Sequence, residues 1–309
     1  MREADDDKEL LARRFQEHRG QLRAVAYRML GSLTEAEDAV QEAWLRLTRT
    51  DTGAITNLGA WLTTVTGRIC LDLLRTRTSR REDPLDDTFV PDPVIRPLTR
   101  TDPEQEAVEA DSLGLALLVV LERLAPDERL AFVLHDMFAV PFDDIAPVLE
   151  RTSASTRQLT SRARRRVQGA TPSAETDLNR QRQVLEAFLA ASRAGDFEAL
   201  VAVLHPDVVL RVDAGALVRG AAVSKVVHGA TTVAAQALTF ARYAASARLV
   251  LVNGTIGVAN APETGPRSVM AVTVANGRIT HMYILADPAR LERLDPPRHT
   301  EDDRPAAEG

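Results

Sequence analysis

The chain has 309 residues, 45% of them hydrophobic and 27% charged, with a formal net charge of −6. That excludes a disordered or fibrous polypeptide and leaves room for about two or three domains. A single cysteine excludes a disulfide framework or a cysteine-built metal site, and the 6 histidines show no ligand spacing, so neither metal nor cofactor is expected.

No apolar run reaches membrane-spanning length, and the acidic residues 1–9 lack the apolar core of a signal peptide; a cytoplasmic location without membrane contact is expected. Residues 8–30 are predicted helical, with Leu11, Phe15, Leu22, Val25, Ala26, Met29 and Leu30 on one side. Gly31 and Ser32 end this helix, and Thr34 is placed to cap the next. The second helix, 35–47, carries two stripes. Ala36, Ala39, Val40, Ala43, Trp44 and Leu47 form a core stripe, while Asp38, Gln41, Glu42 and Leu45 recur at the same spacing on another face. A solvated face more often mixes in lysine or arginine, so the acidic stripe reads either as plain surface or as a docking surface for a basic partner.

A Thr-rich loop at 48–57 precedes a helix from 58 to 75, with Trp61, Leu62, Val65, Ile69 and Leu73 predicted inward and Cys70 a buried small hydrophobe. Its end carries Arg75, Arg77, Arg80 and Arg81. These suit a solvated helix C-terminus favoured by the helix dipole, or a patch that contacts phosphate. Trp61 with Asn57 suits core packing or contact with unstacked bases.

Residues 83–105 are Pro-rich, lack periodicity and read as a linker. Helices resume at about 103–124. Ala125-Pro126-Asp127 reads as a helix start, and 130–138 as a buried helix. Phe142, Ile145, Ala146 and Leu149 then make one face of a short helix. A polar break follows, and Ser153 is a suitable cap for a second helix. There Leu159, Ala163 and Val167 face inward, and Arg157, Ser161, Arg164 and Arg165 outward. Residues 151–170 contain arginines at 151, 157, 162, 164, 165 and 166 and no acid. Against the negative net charge, this reversal points to nucleic acid: arginine neutralises phosphate and reads guanine in the major groove. Pro147 inside the first helix and Glu150 in place of a turn glycine depart from an ideal helix-turn-helix.

After a short linker at 171–174 the texture changes. A helix at 178–193, a stop and restart at Gly195-Asp196, a strand at 208–212 and a helical stretch at 221–238 lead into four β-like runs at 247–252, 255–260, 268–274 and 278–285. Asn253-Gly254 and Asn276-Gly277 are hairpin signals. The expected fold is α+β with a curved antiparallel sheet. Asp213, His228 and His281 are its candidates for acid–base chemistry; a structural role is the preferred reading for His281, which alternates with apolar neighbours.

Several of these motifs, in this order, carry a resemblance. Glu37-Asp38-Ala39-Val40-Gln41-Glu42-Ala43-Trp44 resembles the region-2 core-binding helix of bacterial sigma-70 factors, and Leu58-Gly-Ala-Trp-Leu-Thr-Thr-Val resembles their promoter-melting helix. Phe132-Val-Leu-His-Asp-Met-Phe and the helix-turn-helix resemble region 4. Two short helical domains joined by a Pro-rich linker resemble the extracytoplasmic-function group, over residues 10–170. Arg157-Gln158-Leu159 and Ser161-Arg162-Ala163-Arg164-Arg165-Arg166-Val167 are similar to the SigJ-like subgroup, which carries a C-terminal SnoaL-like domain of the cone-shaped NTF2-like fold.

The resemblance implies a multidomain chain: two small all-α sigma domains at 8–82 and 106–170, the linker at 83–105, a SnoaL-like α+β domain at 177–294 and a disordered tail at 295–309. It implies a promoter-specificity subunit without covalent chemistry of its own, whose partners are core RNA polymerase (the β′ clamp helices and the β flap) and promoter DNA. Asp38, Gln41, Glu42 and Leu45 would bind the polymerase. Asn57, Trp61, Arg75, Arg77 and Arg80 would meet the −10 element, and Ser155, Thr156, Arg157, Ser161, Arg162 and Arg165 the −35 element. A separate anti-sigma factor would be unnecessary if the extra domain regulates in cis. The alternatives are a regulator that needs no polymerase, or a C-terminal domain that keeps ligand binding or isomerase-type activity. The sequence departs from the subgroup at three motifs. Val90-Pro91-Asp92-Pro93-Val94 replaces Trp-Leu-Pro-Glu-Pro, Asp213-Ala214-Gly215-Ala216-Leu217 replaces Asp-Gly-Gly-Gly-Lys, and Asp287-Pro288-Ala289-Arg290-Leu291 replaces Asn-Pro-Asp-Lys-Leu.

Overall fold

Amphipathic helices build the first half of the molecule and alternating strands the second. The structure, a computed structural model, describes residues 2–51, 53, 55–79, 88–98, 114–170, 174–215, 224–241, 246–260 and 267–294. Arg80, most of the predicted linker, the helix start near 103 and the C-terminal tail lie outside the described residues. The chain divides into two compact units, one from residues 1–84 and 118–170, the other from 85–117 and 171–309.

In the first unit, α1 (Arg2–Leu30), α2 (Leu33–Leu47) and α3 (Leu58–Ser79) enclose a core of Phe15, Leu22, Val40, Leu47, Leu58 and Leu62. The Trp44 ring tilts against Phe15 at 5.0 Å. The α2 cap is Ser32 and not Thr34: its Oγ accepts from the Glu35 amide, and the helix begins at Leu33. The inward face of α3 is also broader than predicted. Thr63, Thr66 and Gly67 are buried on it, Leu74 is buried, and Leu73 is 40% exposed. The cause is a second packing layer. A Cβ on Gly67 would lie 3.0 Å from Leu130 Cδ1 and 3.1 Å from Leu134 Cδ1, so the helix turns its glycine and threonines towards the second group of helices.

That group contains α4 (Leu115–Glu122), α5 (Pro126–Phe132), a π-turn (Val133–Met137), α6 (Phe142–Val148) and α7 (Ser153–Ala170). Pro126 opens α5 at the position where no amide donor is needed. The predicted continuous helix at 130–138 instead widens into the π-turn and stops at Ala139, whose φ is 54°. Arg129, 2% exposed, ties the groups together. It donates to the Met29 carbonyl at 2.8 Å, in the last turn of α1, and forks onto Glu122 at 2.9 and 3.1 Å. Burial pushes the Glu122 carboxyl up, and the Arg129 charge opposes that rise.

In the second unit, α8 (Leu178–Ala194) ends at Gly195 with φ 70°, and the Asp196 side chain caps α9 (Phe197–Val203), as the sequence predicts. The strands are β1 (Ile95–Pro97), β2 (Leu204–Asp213), β3 (Lys225–His228), β4 (Ala247–Val252), β5 (Thr255–Asn260), β6 (Ser268–Ala275) and β7 (Arg278–Leu285), in the sheet order β1-β4-β5-β6-β7-β2-β3. Both Asn-Gly pairs turn with positive φ at each residue, the twist a tight hairpin needs. The predictions differ from the structure in three places. The stretch at 221–238 opens with β3, an edge strand on β2, before α10 (Ala230–Thr239). The sheet is mixed, because β2 runs parallel to β7 after a crossover through β3, α10 and the β4–β6 meander. Residues 95–97, inside the predicted linker, pair with β4 as an outer strand. A last helix, α11 (Pro288–Leu294), follows β7.

Candidate nucleic-acid interface

The helix-turn-helix forms at the predicted place. Ile145, Ala146, Val148 and Leu149 bury one side of α6, and Leu159, Ala163 and Val167 one side of α7. Pro147 sits in the last turn of α6, where the missing donor interrupts little, and Glu150 takes the left-handed turn position with φ 54°. Thr152 supplies the α7 cap, accepting from the Ser155 amide at 3.2 Å; Ser153 instead donates to Asp143 at 2.5 Å, pinning α6 to α7. Thr156 does not face outward. It is fully buried, with its hydroxyl on the Thr152 carbonyl, and Thr160 beside it bonds the Thr156 carbonyl in the same way. Arg157, Ser161, Arg162 and Arg165 are exposed, Ser155 is half-buried, and Arg157 lies over the Phe142 ring at 5.4 Å.

The remaining arginines of α7 are already engaged. Arg164 forks onto Asp136 at 2.5 and 2.7 Å, and Arg166 meets the buried Glu128 at 2.5 Å. Asp127 collects Arg75 from α3 at 2.9 Å and Arg151 from the turn at 3.1 Å. Arg77 pairs with Glu35. Asn57 is exposed and caps α3 through the Ala60 amide at 3.1 Å, while Trp61 packs partly buried on the α1–α3 core.

On α2, Asp38 and Gln41 are exposed, Leu45 is 40% exposed, and Glu42 pairs with Arg46 one turn on. The opposite face of the same helix is buried through Ala36, Ala39, Val40, Ala43 and Leu47. The acidic stripe is therefore displayed on a helix whose other side fixes its orientation.

The three departing motifs meet in the second unit. Arg290 donates to Asp92 at 2.7 and 2.5 Å, to Asp213 at 2.8 Å and to the Val90 carbonyl at 2.6 Å; the Val90 amide donates back to Asp213 at 3.1 Å. The Phe89 ring lies 5.0 Å from the Arg290 guanidinium. Asn253 completes the grip on this segment, accepting from the Val94 amide at 3.0 Å. Neither the pairing of Asp92 with Arg290 nor the return of Asp213 to Val90 has any signal in local sequence pattern. Asp213 is thus committed to this clamp, His228 is exposed on the edge strand, and His281 stacks on Tyr283. None of the three lines the cavity that opens under α8 and α10.

Three family models match the chain: sigma-70 region 2 over residues 14–80, sigma-70 region 4 over 114–167 and a SnoaL-like domain over 185–282. The chain is similar to the ECF RNA polymerase sigma factor SigJ of Mycobacterium tuberculosis, 40% identical over 90% of this chain and 92% of the relative. It is similar to the probable ECF RNA polymerase sigma factor SigI of the same organism, 35% identical over 90% of this chain and 93% of the relative. The crystal structure of the M. tuberculosis extracytoplasmic function sigma factor SigJ superposes with a TM-score of 0.72 at 37% identity, covering 91% of this chain and 98% of that one. The expectation that no separate anti-sigma factor is needed has no support in these matches.

Proposed function

The chain belongs to the extracytoplasmic-function sigma factors of the sigma-70 family and directs promoter-specific transcription initiation by RNA polymerase, and we propose that its residues divide that work among three surfaces. The first is α2, which docks on the β′ clamp helices through Asp38, Gln41, Glu42 and Leu45. The displayed acidic stripe on an otherwise buried helix carries this reading. The second is the end of α3 with Asn57 and Trp61, which holds the unpaired −10 bases. Arg75 and Arg77 take the backbone there by exchanging Asp127 and Glu35 for phosphate. Both pairs are partly exposed, so each resists exchange by only about 0–1 kcal/mol. The third is α7, which reads the −35 duplex through Ser155, Arg157, Ser161, Arg162 and Arg165, with the helical region around it meeting the β flap. Thr156, being buried, has no part in this reading. A regulator independent of polymerase has no use for the α2 stripe.

The C-terminal domain acts in cis and without catalysis. It holds residues 89–97, the chain between the −10 and −35 modules, through Arg290, Asp213, Asn253 and the β1–β4 pairing. Its grip sets how far that connection extends, and so how readily both promoter elements are engaged together.

The test is the double variant Asp38→Ala/Gln41→Ala in the full chain. Both side chains are exposed, so the thermal midpoint stays at the wild-type value while binding to core polymerase and promoter-dependent transcription are lost. Normal transcription by this variant removes the docking assignment.

A further inference from the structure

The cavity of the C-terminal domain plays no part in the reading above. It measures about 160 Å³, the scale of an engineered apolar cavity of ~150 Å³ that takes a benzene ring. Strand register explains its lining. Val258 opposes Met270, Met270 opposes Ile284, Ile284 aligns with Val212, and Val212 opposes Lys225. One row of side chains therefore crosses β5, β6, β7, β2 and β3 on the face roofed by Phe188 of α8 and Val233 of α10. The row is apolar until its last member, which is a lysine.

Lys225 is partly buried there, and its Nζ donates to the Gln236 amide oxygen at 2.7 Å. It has no carboxylate partner among the described residues. Arg267, the exposed residue just before β6, adds a second cation to the lining, and Asn260 and Ser268 stand paired on the adjacent strands. No aspartate, glutamate or histidine lines the cavity among the described residues. A cation beside an apolar wall, held among the described residues by a neutral amide, is incompletely compensated; an anion in the cavity would complete it. The residue type fits a small site. Lysine occurs only at positions 8 and 225 in this arginine-rich chain, and its ammonium is a compact charge with three donors, where arginine would need a broad planar face.

We propose that this cavity binds a small apolar acid, a single aromatic ring or short alkyl chain bearing a carboxylate. The carboxylate sits on Lys225 Nζ, and the apolar body lies against Phe188, Val258, Met270 and Ile284. Binding needs no polymerase and is independent of the promoter reading.

Calorimetric titration of the full chain with benzoate, hexanoate and octanoate, each against its matching alcohol, tests this. At least one acid binds, and binds more tightly than its alcohol. Lys225→Met weakens that acid roughly tenfold or more, the scale of one charge-assisted hydrogen bond, and leaves the alcohol unchanged. Ala237→Phe, which fills the cavity from α10, removes both. No binding by any of the three acids overturns the proposal, as does equal binding of acid and alcohol. Acid binding that survives Ala237→Phe overturns it too, since the ligand then sits elsewhere. Should Lys225→Met fail to fold by circular dichroism, the native chain's preference between acid and alcohol decides.

Discussion

The arginines of α7 fall into two sets. Arg157, in the first half of the helix, reaches over the Phe142 ring, and Arg162, at its middle, forms no ion pair among the described residues. In the C-terminal half, Arg164 and Arg166 are bound to Asp136 and Glu128, and Arg165 folds back towards the Ser161 carbonyl at 3.5 Å. A helix that is uniformly basic in sequence is therefore divided in space. Arg164 and Arg166 anchor the helix to the fold, while Arg157, Arg162 and Arg165 stay exposed on the face that meets DNA. Outward-facing and available are separate properties, and only the first follows from helical periodicity.

The strongest way to sharpen this division is to remove an anchoring arginine that is fully buried. Arg129→Met deletes the link between the Met29 carbonyl and Glu122 and leaves that carboxylate buried without its partner. Losing one member of such a pair costs about 3–5 kcal/mol. Urea unfolding followed by circular dichroism checks it, and a loss below about 1 kcal/mol would mean that Arg129 does not join the helices as described.

The exposed pair Arg157 and Arg162 makes the opposite forecast. Arg157→Ala with Arg162→Ala leaves urea stability within about 0.5 kcal/mol of wild type, because neither side chain carries an ion pair among the described residues. The same double variant, assembled with core polymerase on a duplex selected from a random pool, loses about 1–3 kcal/mol of binding for each base contact removed. Each phosphate contact removed lowers the salt slope by about 1. A variant that is destabilised yet binds normally would break the division between the two sets.

Much of this was legible in sequence because it is local. The α2 stripes follow from spacing, the hairpins from their Asn-Gly pairs, and the basic helix from its composition. What escaped is non-local. β3 sits in an Ala-rich stretch and exists because it pairs with β2, and Ile95–Pro97 becomes a strand only because β4 offers an edge. Thr156 joins the −35 set only through the family resemblance. Its hydroxyl is satisfied by the carbonyl four residues back, so a polar residue occupies the buried stripe at no hydrogen-bonding cost. Leu73 and Leu74 exchange roles because α3 packs on two sides, and a one-sided pattern cannot reveal the second.

The smallest effect asks whether the turn or the anchors aim α7. Glu150 holds φ at 54° between α6 and α7, a conformation that costs a residue with a Cβ about 1 kcal/mol. Its side chain is exposed. Glu150→Gly relieves that strain and raises urea stability by at most about 1 kcal/mol, since glycine also loses more freedom on folding. If Arg164 and Arg166 orient the helix, the looser turn leaves promoter affinity unchanged. If affinity falls while stability rises, the strained turn itself aims the DNA-facing arginines of α7, and Arg164 and Arg166 serve only to hold the helix down.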